Sequence, residues 1–194
     1  MTAIVLGNGR SRLELDTDWL MAQAPVYGCN ALYRTHTPRV LVATDQHIAQ
    51  TIQDSGYARL HRFYTRRPRP GSGALTVPRE YFGYSSGPIA VALAAADRHD
   101  PIYLIGFDMG PDQHGRFNNV YAGTEHYKPV ASDPTFTGNW VRQLVRVMTD
   151  HVTTDFVRVQ GAETADIAEF ASVRNLQHIT LAQFRASINN AKEP

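Results

Sequence analysis

The sequence predicts an α/β fold, a single domain with a mostly parallel β-sheet covered by helices on both faces. Two observations carry that expectation. Short apolar runs bounded by Gly, Asn and Asp alternate with segments of helical periodicity, the order expected of β–α–β units. The runs are continuously apolar, as strands buried on both faces are, and do not alternate with polar residues.

The elements follow in order. Ala3 to Leu6 is an apolar run stopped by Gly7-Asn8-Gly9, a buried strand entering a tight loop. Leu13, Leu15, Trp19, Leu20 and Met21 allow a short amphipathic helix. Pro25 to Gly28 reads as a second strand and Arg39 to Ala43 as a third. Thr44 or Asp45 then caps a helix through Asp54. Leu60 to Tyr64 reads as a fourth strand, and Arg66 to Val77 as a break rich in Pro, Gly and Arg.

Ser85-Ser86-Gly87-Pro88 opens a helix through Ala96. Proline suits a first helical turn, where its missing N–H is not needed. This helix is apolar nearly all round, so it belongs against the sheet. Ile102 to Ile105 is a strand ending in Gly106-Phe107-Asp108. A long polar and aromatic stretch follows, then a helix from Trp140 to Met148 with Val141, Leu144, Val145 and Met148 on one face. Phe156 to Val159 is a strand, and Leu181 to Ile188 a last helix. The domain is expected to span 1–194, with a basic loop at about 65–80 and a polar loop at about 109–137.

Composition removes several classes. With 43% apolar residues the chain is not disordered. Nineteen Lys and Arg against 18 Asp and Glu leave a net charge of +1, which argues against a nucleic-acid binder. Cys29 is the one cysteine, so no intrachain disulfide and no cysteine-based zinc site form. No basic segment precedes the first apolar run, and Pro88 to Ala96 is too short to span a bilayer. The expectation is a cytoplasmic protein with no membrane span. A homo-oligomer is compatible with the sequence.

In open parallel sheets, ligands bind beyond the carboxyl ends of the strands, which directs attention to the strand-end loops. Gly7-Asn8-Gly9-Arg10-Ser11-Arg12 begins like a dinucleotide fingerprint, with Arg12 in place of the third glycine. Gly7 and Gly9 let backbone N–H groups approach a phosphate, or simply make a tight turn. Asn30 stands where NAD binding wants an acid. No P-loop and no His-Glu-x-x-His motif is present. Ser85, Ser86 and Gly87 form either an anion cradle or a plain helix cap. Asp108 can bind a ribose or a metal, or hold a loop. His126, in the Tyr121–Tyr127 segment, is either a general base suited to neutral pH or an ordinary surface histidine of a loop. From Ser55 to Arg79 there is no acid, while Arg59, Arg62, Arg66, Arg67, Arg69 and Arg79 are present. That tract is either a solvated loop or a basic flap over a phosphorylated ligand.

Several of these segments line up, in order, with one family. Val5-Leu6-Gly7-Asn8-Gly9-Arg10-Ser11 resembles the GNGPS opening of bacterial sialyltransferases that use CMP-sialic acid. Gly28-Cys29-Asn30-Ala31-Leu32-Tyr33 resembles their RCNxFY. Ser85-Ser86-Gly87 resembles their TSG helix entry, and Ile102 to Asp108 their IYLxGxD. Val120-Tyr121-Ala122 and Glu125-His126-Tyr127 are similar to a later YAF and SHY. Flagellin-modifying glycosyltransferases and hydroxymethylpterin pyrophosphokinases share the framework.

The resemblance implies a Rossmann-like domain that binds a cytidine nucleotide without metal or other cofactor. Asn8, Gly9 and Asn30 would hold the phosphate and ribose region. Ser86 and Gly87 would hold the nucleotide at the helix start, with Gly7 and Ser85 completing the set. Asp108 would shape the ribose pocket. Tyr121 would support the leaving phosphate, and His126 would deprotonate the acceptor. The expected function is that of a small glycosyltransferase-like enzyme moving a CMP-linked sugar to a hydroxyl. One alternative is diphosphate transfer with Mg²⁺ held by acids such as Asp108 or Asp112. The other is a nucleotide-binding or interaction module without chemistry.

Overall fold

The computed structural model describes residues 1–190. One eight-stranded sheet, parallel throughout, organises them. In chain order the elements are β1 (Ala3–Leu6), α1 (Thr17–Gln23), β2 (Val26–Cys29), β3 (Val40–Val42), α2 (Gln46–Asp54), α3 (Tyr57–Leu60), β4 (Phe63–Thr65) and β5 (Leu75–Thr76). They continue with α4 (Ser86–Ala96), β6 (Ile102–Ile105), α5 (Gly138–Asp150), β7 (Phe156–Gln160), β8 (Leu176–Thr180) and α6 (Leu181–Asn190). The strand order is β5-β4-β3-β2-β1-β6-β7-β8. The chain winds outward from β1 in one direction, returns, and winds outward in the other. The reversal falls between β1 and β6.

The period-2 alternation of each strand divides the core into two. Ala3, Val5, Tyr27, Val42, Leu104 and Phe156 face α4 and α5. Ile4, Leu6, Leu41, Phe63, Ile105 and Val157 face α1, α2 and α6. Buried helices on both faces explain why the strands read as unbroken apolar runs. In α4, every residue from Pro88 to Ala95 is buried. It packs over the central strands β1, β2, β3 and β6 and against α5.

Four expectations change in detail. Residues 10–14 form a 3₁₀ turn, and α1 starts later, at Thr17, where the Asp16 carboxylate accepts from the Trp19 N–H as its cap. The fourth strand is Phe63–Thr65. Leu60 belongs to α3, is 82% exposed, and contributes nothing to the sheet. The break after Arg66 contains β5, a short edge strand. On α5, Val147 is buried and Val145 only partly so. The strand β8 had no sequence signal, because an edge strand with half-exposed residues carries no apolar run. No helix among the described residues is long and apolar enough to cross a membrane.

Candidate functional site

The loops leaving β1 and β6 meet at the sheet's switch point, where a ligand crevice is expected. Their contact is close enough to demand glycine. A Cβ on Gly7 would collide with the Gly106 carbonyl, and one on Gly9 with the Asp108 carboxylate. Gly106 itself sits at φ +73°. Backbone approach is thus used here first to pack loop on loop.

Asp108, 3% exposed, ties these loops together. Its carboxylate accepts from the Ser11 N–H (3.0 Å), the Ser11 hydroxyl, the Asn118 amide (3.1 Å) and the Thr164 hydroxyl (3.4 Å). Asn118 in turn accepts from the Arg10 N–H at 2.8 Å. Beneath them lies Arg158 of β7. Its guanidinium donates to the carbonyls of Phe107, Asp108 and Ala165 at 2.8–3.1 Å. Burial lowers its pKa to about 10, so it stays charged at neutral pH.

Arg12 explains its departure from the glycine fingerprint. The buried guanidinium donates to the Gly7 carbonyl (2.9 Å), the Asn8 side-chain oxygen (3.3 Å) and the Tyr121 hydroxyl (2.8 Å). It therefore braces the first loop from within. Asn30 directly follows β2 at φ +52°, a left-handed conformation that Asn tolerates better than most residues. Its side-chain oxygen accepts from Ser86 at 3.0 Å. The Ser86 hydroxyl also accepts from the Thr44 N–H at 3.0 Å, so the start of α4 is pinned to the ends of β2 and β3. The Ser85 hydroxyl makes no cap bond.

Above these loops lies a cavity of about 240 Å³. All eight residues expected to bind nucleotide line it: Gly7, Asn8, Gly9, Asn30, Ser85, Ser86, Gly87 and Asp108. Phe107, Met109 and Trp140 supply apolar surface, and Thr44, Asn118 and Asn119 further polar groups. Asn118, Asn119 and Trp140 carried no signal in a single sequence. They belong to a long loop and a helix start whose place over the sheet is set only by tertiary packing. The charged members of the lining are Asp45, Arg66 and Asp108. Asp45 precedes α2 but makes no side-chain cap bond. Arg66 donates to the Tyr84 carbonyl at 2.7 Å, while its buried Nε has no partner.

The two residues expected to do chemistry stand elsewhere. Tyr121 is engaged by Arg12 and packs on Tyr127, and burial raises its pKa. His126 does not line the cavity. Its Nε2 lies 2.9 Å from the Thr51 hydroxyl on α2 and 3.5 Å from Glu125. The Thr51 hydroxyl also contacts the His47 carbonyl at 3.1 Å. The place of His126 is that of a strap between the 121–128 turn and α2.

Of the acids considered for a divalent ion, Asp108 is engaged as described. Exposed Asp112 accepts from the N–H groups of Arg116 and His114, which lower its pKa. Among the described residues, no group of three or more His, Cys, Asp or Glu side chains is arranged to hold a metal ion.

No family model matches the chain, and no curated protein matches it. Among solved structures it is similar to the MAf glycosyltransferase from Magnetospirillum magneticum AMB-1, at a TM-score of 0.52 and 16% sequence identity. The likeness covers 98% of this chain and 37% of that one. The chain spans little more than a third of its neighbour's length, and what the two share is a Rossmann-like parallel-sheet fold.

Proposed function

We propose that this chain is a glycosyltransferase-like enzyme whose switch-point cavity binds the nucleotide of an activated, CMP-linked sugar. One observation carries the reading. Eight residues chosen from four separate loops, more than 100 positions apart at the extremes, line one cavity. A structural neighbour named a glycosyltransferase supports the class.

The chemistry follows from the lining. The open N-terminus of α4 and the Arg66 guanidinium favour a phosphate. Trp140 and Phe107 offer flat apolar surface to a base, and Asn8, Asn30 and Asn119 offer amides to a ribose. In the transfer, the bond between the anomeric carbon and the phosphate oxygen breaks, and CMP leaves with the electron pair. The acceptor oxygen bonds to that carbon and gives up its proton. In this reading the proton passes to Asp45, the cavity carboxylate without a hydrogen-bond partner among the described residues. Rate comes from holding both substrates in line and stabilising the leaving phosphate, without a metal.

The test is thermal stability with CMP, CDP, UDP, GDP and ATP, each with and without Mg²⁺. CMP at a hundred times its Kd adds about 2.7 kcal/mol, a rise of roughly 5–10 °C for a chain of this size. That rise is expected with CMP, without need of Mg²⁺, and should vanish in Asn30→Ala. No rise with any nucleotide contradicts the reading. Asp45→Asn should abolish donor turnover with CMP binding kept, while His126→Ala keeps both.

A further inference from the structure

We infer that a second groove, beside the nucleotide cavity, is a subsite for an anionic group, phosphate or carboxylate, carried by the acceptor. Its assignment to the acceptor rests on the nucleotide reading above; its affinity for an anion does not.

The groove has a volume of about 370 Å³ and shares Thr44, Asp45 and Arg66 with the nucleotide cavity. One wall is the polar face of α2, with Gln46 and Gln50; the other carries Arg66, Arg67 and Arg69. The arginine wall is fixed in place. Gln53 of α2, buried, donates to the carbonyls of Ala49 (3.2 Å) and Arg67 (3.4 Å). Its oxygen accepts from the Arg69 N–H at 2.8 Å and the Ser72 hydroxyl at 3.1 Å. One buried amide therefore fastens the arginine loop to α2, and the ordering cost of that loop is met in folding.

The cations are unequally used. Arg69 is paired with Asp54. The Arg67 guanidinium has no hydrogen-bond or ion-pair partner among the described residues; only its backbone carbonyl is engaged, by Gln53. Arg66 spends one nitrogen on the Tyr84 carbonyl and keeps its Nε–H buried and unpartnered. A buried donor without an acceptor is uncommon in folded proteins and points to a group supplied from outside. The first hydrogen bond of α2 runs from the Ala49 N–H to the Asp45 carbonyl. The earlier N–H groups at Gln46 therefore add positive potential at the same end. Asp45 is the carboxylate on these walls, and it lies at the junction of the two cavities. An acceptor anchored by its anion at Arg67 would present its hydroxyl toward Asp45 and the nucleotide.

The experiment titrates inorganic phosphate, and separately acetate, into the wild-type protein and Arg67→Gln by calorimetry, each with and without saturating CMP. Arg67 is exposed and outside the nucleotide cavity, so its replacement leaves folding and CMP affinity unchanged. Expected is saturable anion binding in the presence of CMP, weakened at least fivefold by Arg67→Gln. Anion binding that competes with CMP, or that ignores the substitution, overturns the proposal and leaves the nucleotide reading intact. If CMP does not bind but the anion does, and Arg67→Gln weakens it, the groove stands and only the nucleotide reading falls. No anion binding at all overturns the subsite.

Discussion

Arg158 heads the fully buried side chains by volume, and it faces carbonyls instead of a carboxylate. Desolvation works against its charge, and the hydrogen bonds to three loop carbonyls answer that cost. Arg158→Met removes those bonds and leaves buried acceptors behind. The expected loss is about 2–3 kcal/mol in urea unfolding, together with weaker CMP binding, since Phe107 and Asp108 line the cavity. Unchanged stability would show that the carbonyls find other donors. Cys29 is a simpler case. Burial pushes its thiol pKa up to about 12, and the thiolate is the reactive form. Cys29 is 4% exposed at the edge of the cavity, so native protein at pH 8 should react with a disulfide reagent far more slowly than unfolded protein, and labelling at the unfolded rate would refute the assigned burial. Gly7, Gly9 and Asp108 were legible as important. What the sequence could not reveal is that the glycines serve loop packing and that Asp108 spends its oxygens on Ser11, Asn118 and Thr164.

At the scale of elements, legibility followed burial. Strands β1, β3 and β6 and the body of helix α4 from Pro88 to Ala95 are apolar on every buried side, β7 is so apart from Arg158, and their sequences say so. Edge strands β5 and β8 meet solvent and lack that mark. The other end of the sheet is tied by polar groups that no motif announced. Asp97 caps α4 at its C-terminus. It accepts from the Tyr27 hydroxyl of β2 (2.5 Å) and from Arg62, just before β4 (2.6 Å). Partial burial raises the Asp97 pKa, but the hydrogen bonds from Arg62 and Tyr27 outweigh it, and the net shift is downward. A carboxyl whose pKa is lower folded than unfolded stabilises the fold above its unfolded value. That contribution fades as pH drops through the folded value. Wild type should therefore lose thermal stability between about pH 5 and pH 2, and Asp97→Asn should be less stable at pH 7 with a shallower acid slope. Parallel slopes in the two proteins would remove Asp97 from the acid-sensitive set.

For the whole molecule, the net charge of +1 conceals a partition. The acid-free arginine tract is answered across the fold: Arg62 by Asp97, Arg69 by Asp54. Arg66 and Arg67 are left at the rim of the cavities. The parallel sheet, with its reversal between β1 and β6, places the Gly7–Ser11 and Gly106–Asp108 loops together. This much of the site was legible, because strand-end loops in such sheets converge by topology. Tyr121 and His126 were not, because a long loop between distant elements has no periodicity to report its path. The account's central claim is that nucleotide enters this cavity. Amide chemical shifts during a CMP titration test it directly. Gly7, Gly9, Gly87, Gly106 and Gly110 line the cavity, whereas Gly56, Gly71 and Gly115 lie away from it with open space around them. Saturable shifts in the first group with the second unmoved are the expected result. Shifts confined to other residues, or none at saturating CMP, would contradict the account.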